Sequence, residues 1–295
     1  MEMRIEQFNQ QRPLLFSIAY RMLGSAMDAE DMVQETFLRW QQASDDDIQS
    51  PKAYLSTILT RLCIDDLRSA QKQREEYIGP WLPEPVLTTE NTTMTDTLEL
   101  AESLSMAFLV LLESLAPIER AVFLLREVFG YEYPEIARIV GKSETNCRQI
   151  ASRAKEHIAA KRPRHGATRE QQEEVTRRFI VACMSGDLQA LLSVLAPDVV
   201  LEADSGGKVS AARKPIYGAA KVARAVLGIL KLLPSDANVE LARVNAQPAI
   251  IGYTEGRPFY VTVLDIAEGQ IQGIYNVLNP DKLGHLPPQS PVPSV

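Results

Sequence analysis

The run YEYPEIARIVGKSETNCRQIASRAKEHI, from Tyr131 to Ile158, constrains the fold more than any other stretch of the chain. Ile136, Ala137 and Val140 stand at i, i+1 and i+4, which makes one apolar face of a short helix. Gly141-Lys142 then breaks the pattern, because glycine allows the positive φ of a sharp corner. Ser143 is a good N-cap for a second helix, since its hydroxyl can accept an otherwise unpaired backbone N–H. In that helix Cys147, Ile150, Ala151, Ala154 and Ile158 repeat at helical spacing and face inward. Two short helices joined by a tight glycine turn form a helix-turn-helix. Thr145, Arg148, Gln149 and Ser152 fall at i, i+3, i+4 and i+7 on the outward face, with Arg153 and Lys155 beside them. Arg and Gln can hold base edges bidentately in a major groove. Lys161, Arg162 and Arg164 extend the positive charge past the helix, where phosphates would run. The bland alternative is a corner of an ordinary bundle with a solvated basic face. Turn, cap, apolar spacing and exposed Arg/Gln agree better with a DNA reader.

Charge complicates that reading. The 295 residues carry a formal net charge of −7, whereas autonomous DNA binders are usually basic. A locally basic, globally acidic chain binds DNA weakly by itself, or binds it as part of a larger assembly. The start, MEMRIEQFNQQRP, lacks the pattern of a secretory signal, and no apolar run approaches the roughly 18 residues of a membrane span, so a cytoplasmic, non-membrane protein is expected. Cys63, Cys147 and Cys183 lie far apart within helical apolar patterns, and the three histidines do not cluster, so neither a disulfide nor a metal is expected.

Residues 1–76 read as helices. Phe8, Leu14, Leu15, Ile18, Ala19, Met22 and Leu23 mark an apolar face that stops near Gly24, and Asp28 is a candidate cap for the next helix. There Met32, Val33, Thr36, Phe37 and Trp40 form a buried face, opposite Asp31, Gln34, Glu35 and Arg39. Spacing alone makes those acids a solvated surface. Ser50-Pro51 opens a third helix in the favoured order of cap and first-turn proline. Leu55, Ile58, Leu59, Leu62 and Leu67 face its core, with Tyr54, Thr57, Arg61 and Arg68 on another face. An aromatic beside arginines suits unstacked bases, but by itself is a weak signal.

From Tyr77 to about Thr97 prolines and threonines exclude helix, so 77–97 reads as a linker, unusual for its Trp81-Leu82-Pro83. Helical periodicity resumes over 98–162, and a second linker spans about 163–168. Residues 169–286 change to α+β: two helices split at Gly186 with Asp187 as a cap, a strand VVLEAD, a further helix, then four consecutive strands of an antiparallel sheet. The proline-rich tail 287–295 is expected to be disordered.

The order of these parts resembles an extracytoplasmic-function sigma factor. AEDMVQETFLRW and SPKAYLSTILTRLCIDDLRSAQ look like region 2, and LAPIERAVFLLREVFGYEYPEIARIVGKSETNCRQIASRAKEHI looks like region 4. The remainder resembles a SnoaL-like cone. The implied fold is therefore multidomain: two all-α sigma domains followed by an α+β cone. WLPEPV, the turn DSGGK (Asp204, Ser205, Gly206, Gly207, Lys208) and NPDKL (Asn279, Pro280, Asp281, Lys282, Leu283) match the subgroup carrying this extension, with Ser205 departing from the usual DGGGK.

The resemblance implies that Asp31, Gln34 and Glu35 dock on the β′ clamp helices of core RNA polymerase, with the β flap as the other contact. It implies that Tyr54, Thr57 and Arg61 face the melted −10 element of promoter DNA. Arg148, Gln149, Ser152 and Arg153 would then read the −35 element. It answers the charge puzzle too, because a polymerase that holds the subunit in place supplies affinity through multivalency. No dedicated anti-sigma factor is implied, since the extension takes that regulatory place.

Folds host many functions, so the cone leaves other readings open. A cyclase- or isomerase-type site would need a buried acid or base, and Asp204, Asp265, Tyr217, Tyr253 and Tyr275 are candidate cavity residues. A ligand-sensing cone is a further alternative. The leading expectation is a sigma factor without catalysis or cofactor, regulated in cis. Trp81, Leu82 and Pro83 would dock on the end of the cone that carries Asn279–Leu283, with Lys208 nearby.

Overall fold

A computed structural model describes residues 2–44, 48, 50–75, 77–88, 100, 102–161 and 167–289. Arg162 and Arg164, the linker residues beyond 88, and tail residues 290–295 lie outside the described set. The chain divides into two units: 1–76, 91–104 and 108–162 form the first, and 77–90, 105–107 and 163–295 the second.

The first unit is helical. Helix α1 (Glu2–Leu23) ends where Gly24 takes a φ of +70°. The cap of α2 (Ala26–Gln42) is Ser25, whose hydroxyl accepts from Asp28 N at 3.1 Å. Asp28 is therefore not the cap but a first-turn acid, where it complements the positive helix end. Helix α3 (Pro51–Glu75) starts at Pro51 as its sequence requires. Leu15, Ile18, Tyr20, Trp40, Leu55 and Leu59 are buried to within 1% of complete. Burial of a side chain of this kind contributes about 1.5–3 kcal/mol.

Helices α4 (Met106–Leu112) and α5 (Pro117–Phe123) follow, and α5 runs on into a π-helical turn, Leu124–Val128. Two buried arginines, neither visible in the periodicity, tie this half to α1. Arg21 donates to Ser103 Oγ at 2.9 Å and to Leu100 O at 2.7 Å; Arg120 donates to Met22 O at 2.6 Å and Glu113 Oε1 at 2.7 Å. Burial brings both guanidinium groups down to about 10. Helices α6 (Tyr133–Val140) and α7 (Glu144–Lys161) complete the unit. The fully buried residues of α6 are Ile136 and Ile139; Ala137 and Val140 are only half-buried, so the apolar face is rotated from the one read in sequence.

The second unit has helices α8 (Arg169–Ser185) and α9 (Leu188–Val194), separated by Gly186 at φ +66° and capped by Asp187. Strand β1 (Leu195–Asp204), the short β2 (Ile216–Tyr217) and helix α10 (Ala219–Leu230) come next. Strands β3 (Asn238–Val244), β4 (Gln247–Thr254), β5 (Arg257–Ala267) and β6 (Gln270–Val277) form an antiparallel meander. Its two-residue turns, Asn245-Ala246, Glu255-Gly256 and Glu268-Gly269, all hold φ between +49° and +74°. Such paired positive φ values match the twist of the flanking strands. The full order is β2-β1-β6-β5-β4-β3, and β1 pairs parallel with β6, which makes the sheet mixed. One face packs on α8–α10 through Phe179, Leu191, Val199, Leu201, Val222 and Leu264.

Candidate nucleic-acid interface

The helix-turn-helix owes its corner to Gly141, at φ +66° and ψ +40°, whose conformation closes α6 while Lys142 N donates to Ala137 O at 3.1 Å. Ser143 then caps α7, accepting from Asn146 N at 3.3 Å through its side chain and from Cys147 N at 3.0 Å through its carbonyl. Cys147, Ala151, Ala154 and Ile158 are buried, so Thr145, Arg148, Gln149, Ser152, Arg153 and Lys155 all stand exposed. Arg148 lies over the Tyr133 ring at 4.3 Å and 3.9 Å from Glu144, which pre-orients an otherwise flexible guanidinium. Arg126 takes the ring's other neighbourhood at 4.8 Å. Ser152 Oγ donates to Glu156 at 3.2 Å. Lys155 pairs with Glu127 at 2.6 Å, and that hydrogen bond raises the ammonium above its ordinary range. Its charge is partly offset, whereas Gln149 and Arg153 have no partner among the described residues.

In the three-helix part, Asp31 and Gln34 are exposed, and half-exposed Glu35 pairs with Arg39 at 2.8 Å one turn on. Surface pairs of this kind contribute little stability. Tyr54 leans on Trp40 with ring centroids 5.8 Å apart, and Thr57 Oγ1 donates to Ala53 O at 2.7 Å. Arg61 does something the sequence does not announce. Its Nε and Nη2 donate to Ile139 O and Arg138 O, both at 2.9 Å, so it satisfies the carbonyl end of α6. Ser56 Oγ meets Tyr131 OH at 2.7 Å beside it.

The second unit gathers a separate polar cluster. Asp204, fully buried at the end of β1, accepts from Tyr77 OH at 2.5 Å and Gly206 N at 3.1 Å on Oδ1. On Oδ2 it accepts from Leu82 N at 2.9 Å and Lys282 Nζ at 2.7 Å. The same ammonium donates to Leu82 O at 2.5 Å and sits 3.9 Å from the centroid of the Trp81 ring. One ion pair therefore grips both backbone groups of Leu82, and Trp81 is half-buried rather than solvent-exposed. Burial and the Asp204 bond push the Tyr77 phenol up, holding it neutral as a donor.

Asn279 Nδ2 donates to Tyr77 OH at 3.0 Å, while Leu278 N and Asn279 N donate to Asp204 O at 2.7 and 2.9 Å. Leu283 is buried, Pro280 starts the 3-10 turn Pro280–Lys282, and Lys208 pairs with Asp281 at 2.5 Å on the surface. Gly206 and Gly207 need their missing Cβ atoms: one would fall 2.5 Å from Asn279 Nδ2 and the other 2.9 Å from Ile78 Cδ1. Ser205 needs no positive φ, and its hydroxyl accepts from Gly207 N at 3.3 Å, so the departure from glycine is accommodated.

Beyond buried Pro83 the segment continues along the sheet. His285 Nε2 lies 2.7 Å from Pro85 O, Asn245 exchanges bonds with Val86, and Leu87 bridges Val244 at the outer edge of β3. Tyr77, Asn245 and His285 carry no sequence signal for this role. By contrast, Asp204, Asp265, Tyr217, Tyr253 and Tyr275 do not line the unit's apolar cavity, so the set of candidate cavity residues is corrected. Strand alternation puts Asp204, Asp265 and Tyr275 on other surfaces, and Tyr217 is exposed on the two-residue edge strand.

A helical bundle with an acidic flank, joined to a capped helix-turn-helix that presents Arg and Gln, defines a promoter-reading subunit. Residues 8–73 match the Sigma-70 region 2 family, and residues 105–158 match Sigma-70, region 4. The chain is 37% identical over 293 residues to ECF RNA polymerase sigma factor SigJ of Mycobacterium tuberculosis, an alignment covering 95% of this chain and 93% of that protein. It is 36% identical over 278 residues to the probable ECF RNA polymerase sigma factor SigI of the same species, covering 93% of each. The crystal structure of Mycobacterium tuberculosis SigJ superposes with a TM-score of 0.76 at 34% identity, over 95% of this chain and 98% of that one. The chain belongs to the ECF RNA polymerase sigma factors. Core RNA polymerase and promoter DNA are the partners that its two sigma regions imply. Among the described residues no helix is long and apolar enough to cross a membrane.

Proposed function

We propose that this sigma factor is controlled by its own C-terminal domain, which holds the segment after region 2. The observation that carries the reading is the Asp204–Lys282 pair closed around both backbone groups of Leu82. Region 2 seats on the β′ clamp helices through Asp31, Gln34 and Glu35, and region 4 lies toward the β flap. There Arg148 and Gln149 read −35 bases, Thr145 and Ser152 support them, and Arg153 and Lys155 meet phosphate. Tyr54, Thr57 and Arg61 meet the melted −10 strand, for which Arg61 first releases the α6 carbonyls. The latch of Trp81, Leu82 and Pro83 against Asp204–Lys208 and Asn279–Leu283 limits where the two readers can stand. It takes the place of a dedicated anti-sigma factor, and the protein works in the cytoplasm with core polymerase. The domain does no chemistry of its own, a reading supported by a cavity wall that contains no Asp, Glu or His.

Transcription in vitro with core polymerase tests this, using the full chain, Trp81→Ala and Lys282→Met. Release of the segment, read as new protease cleavage within 77–88, is expected to change promoter output several-fold. An intramolecular coupling of about 1–3 kcal/mol is enough for that. Unchanged output from a chain whose segment is demonstrably released would overturn the regulatory reading.

A further inference from the structure

The face of the sheet that packs on α8 and α10 encloses a cavity of about 550 Å³. That volume lies in the range of small-molecule sites, roughly 300–1,000 Å³, and far exceeds a packing defect. Its wall is apolar, with Phe179, Val226, Ile250 and Ile274 among the lining residues, and no charged side chain contributes. Its rim carries apolar side chains that no internal packing explains: Met184 is 84% exposed and Leu241 62%.

The polar groups are few and oriented. Thr262 and Asn276 are cross-strand neighbours on β5 and β6, and Thr262 Oγ1 donates to Asn276 Oδ1 at 2.7 Å. That bond turns the amide so that its NH₂ remains as a donor, without a partner among the described residues. The second donor is the Tyr260 hydroxyl, likewise without a described partner; burial keeps this phenol protonated. Tyr260 lies across Gly252 on the paired strand, where a Cβ would fall 2.0 Å from the ring. The glycine thus makes room for the ring in the wall. Cys183, also in the wall, has its thiol pushed up to about 12 by burial, which removes it as a nucleophile.

We propose that this cavity binds a neutral, largely apolar small molecule whose carbonyl oxygen accepts from Asn276 Nδ2 and Tyr260 OH. The class follows from the lining. Two donors without a competing acceptor select an acceptor group, and the absence of a cation in the wall excludes a carboxylate, whose burial unpaired is prohibitive. Polycyclic or long-chain ketones and esters satisfy both demands. The site shares its floor with the latch, because Leu278 lines the cavity while its N–H bonds Asp204 O, one residue before Asn279. Binding itself does not depend on the regulatory reading; only an effect on transcription does.

Titration of the full-length chain with Nile red, a neutral dye bearing one ring carbonyl, tests binding directly. Saturable fluorescence enhancement at one site is expected, displaced by progesterone and not by laurate anion. Ile229→Trp fills the cavity from the surface side of α10, where Ile229 is 40% exposed, and should weaken dye binding at least tenfold. Tyr260→Phe removes one donor and no ring volume, and should weaken it about three- to tenfold. This variant carries the test if Ile229→Trp melts early. No saturable binding by the wild-type chain, displacement by laurate as strong as by progesterone, or unchanged affinity in Tyr260→Phe would overturn the assignment. If binding holds and progesterone leaves transcription unaltered, the site stands and the regulatory reading loses its link to it.

Discussion

The outward face of α7 and the cluster around Asp204 are both polar, yet they are built in opposite ways. On α7, Gln149 and Arg153 project into solvent, and Arg148 is only steadied by an aromatic ring and a distant carboxylate. Around Asp204 both carboxylate oxygens are occupied, each by two donors, beneath a fully buried Leu82. Donors left open at the surface await an acceptor from another molecule. Donors consumed inside the protein position their own backbone. The contrast teaches that charge alone does not mark a binding site; what marks it is charge left unsatisfied at an accessible surface.

The largest effect that would break this comparison belongs to the buried cluster. Lys282→Met leaves the Asp204 carboxylate buried without its cation, and unfolding of the full chain in denaturant should show a loss of about 3–5 kcal/mol. A loss near that of a surface change would mean that water reaches Asp204 and that the cluster is no lock. Next comes Arg148→Ala, expected to remove about 1–3 kcal/mol of discrimination at one −35 position while the melting curve stays put. Arg153→Ala should instead lower affinity for all promoters alike. Promoter-variant binding separates the two, and an unaltered base preference in Arg148→Ala defeats the base-reading assignment.

Arg61 sharpens the comparison because it belongs to both kinds. Its bonds to Arg138 O and Ile139 O are exposed at one end, so Arg61→Ala should cost only about 1 kcal/mol in stability. It should also slow promoter opening, measured by permanganate footprinting of the −10 region. Stability loss with normal opening would make it a helix cap alone. The smallest effect is expected at Asp31, where reversal to Lys should shift stability by no more than about 0.5 kcal/mol yet weaken core-polymerase pull-down. Normal pull-down would remove Asp31 from the docking face.

The helix-turn-helix was legible because each of its parts is local: Gly141 makes its turn, Ser143 its cap, and Cys147 to Ile158 its buried stripe. The cap of α2 misled for the same reason, since Ser25 and Asp28 both carry suitable oxygens and only the backbone conformation selects between them. Docking of Trp81-Leu82 could be anticipated from apolar residues without a core, but its chemistry could not. Tyr77 and Asn279 are 202 residues apart, Lys282 and Leu82 are 200 apart, and neither Tyr77 nor His285 sits in a motif. The cavity escaped for a related reason: strand alternation indicates two faces, but which face meets α8 and α10 depends on how the layers stack.

Sequence by itself determined the elements, their order and the outward face of α7, because helical and strand periodicity, caps and turns act within a few residues. Tertiary structure decided that Arg61 closes α6, that Asp204 and Lys282 clasp Leu82, and that Tyr260 and Asn276 share a cavity. Those outcomes depend on burial, which removes water as the competing partner and makes each remaining donor or acceptor find its match across the fold.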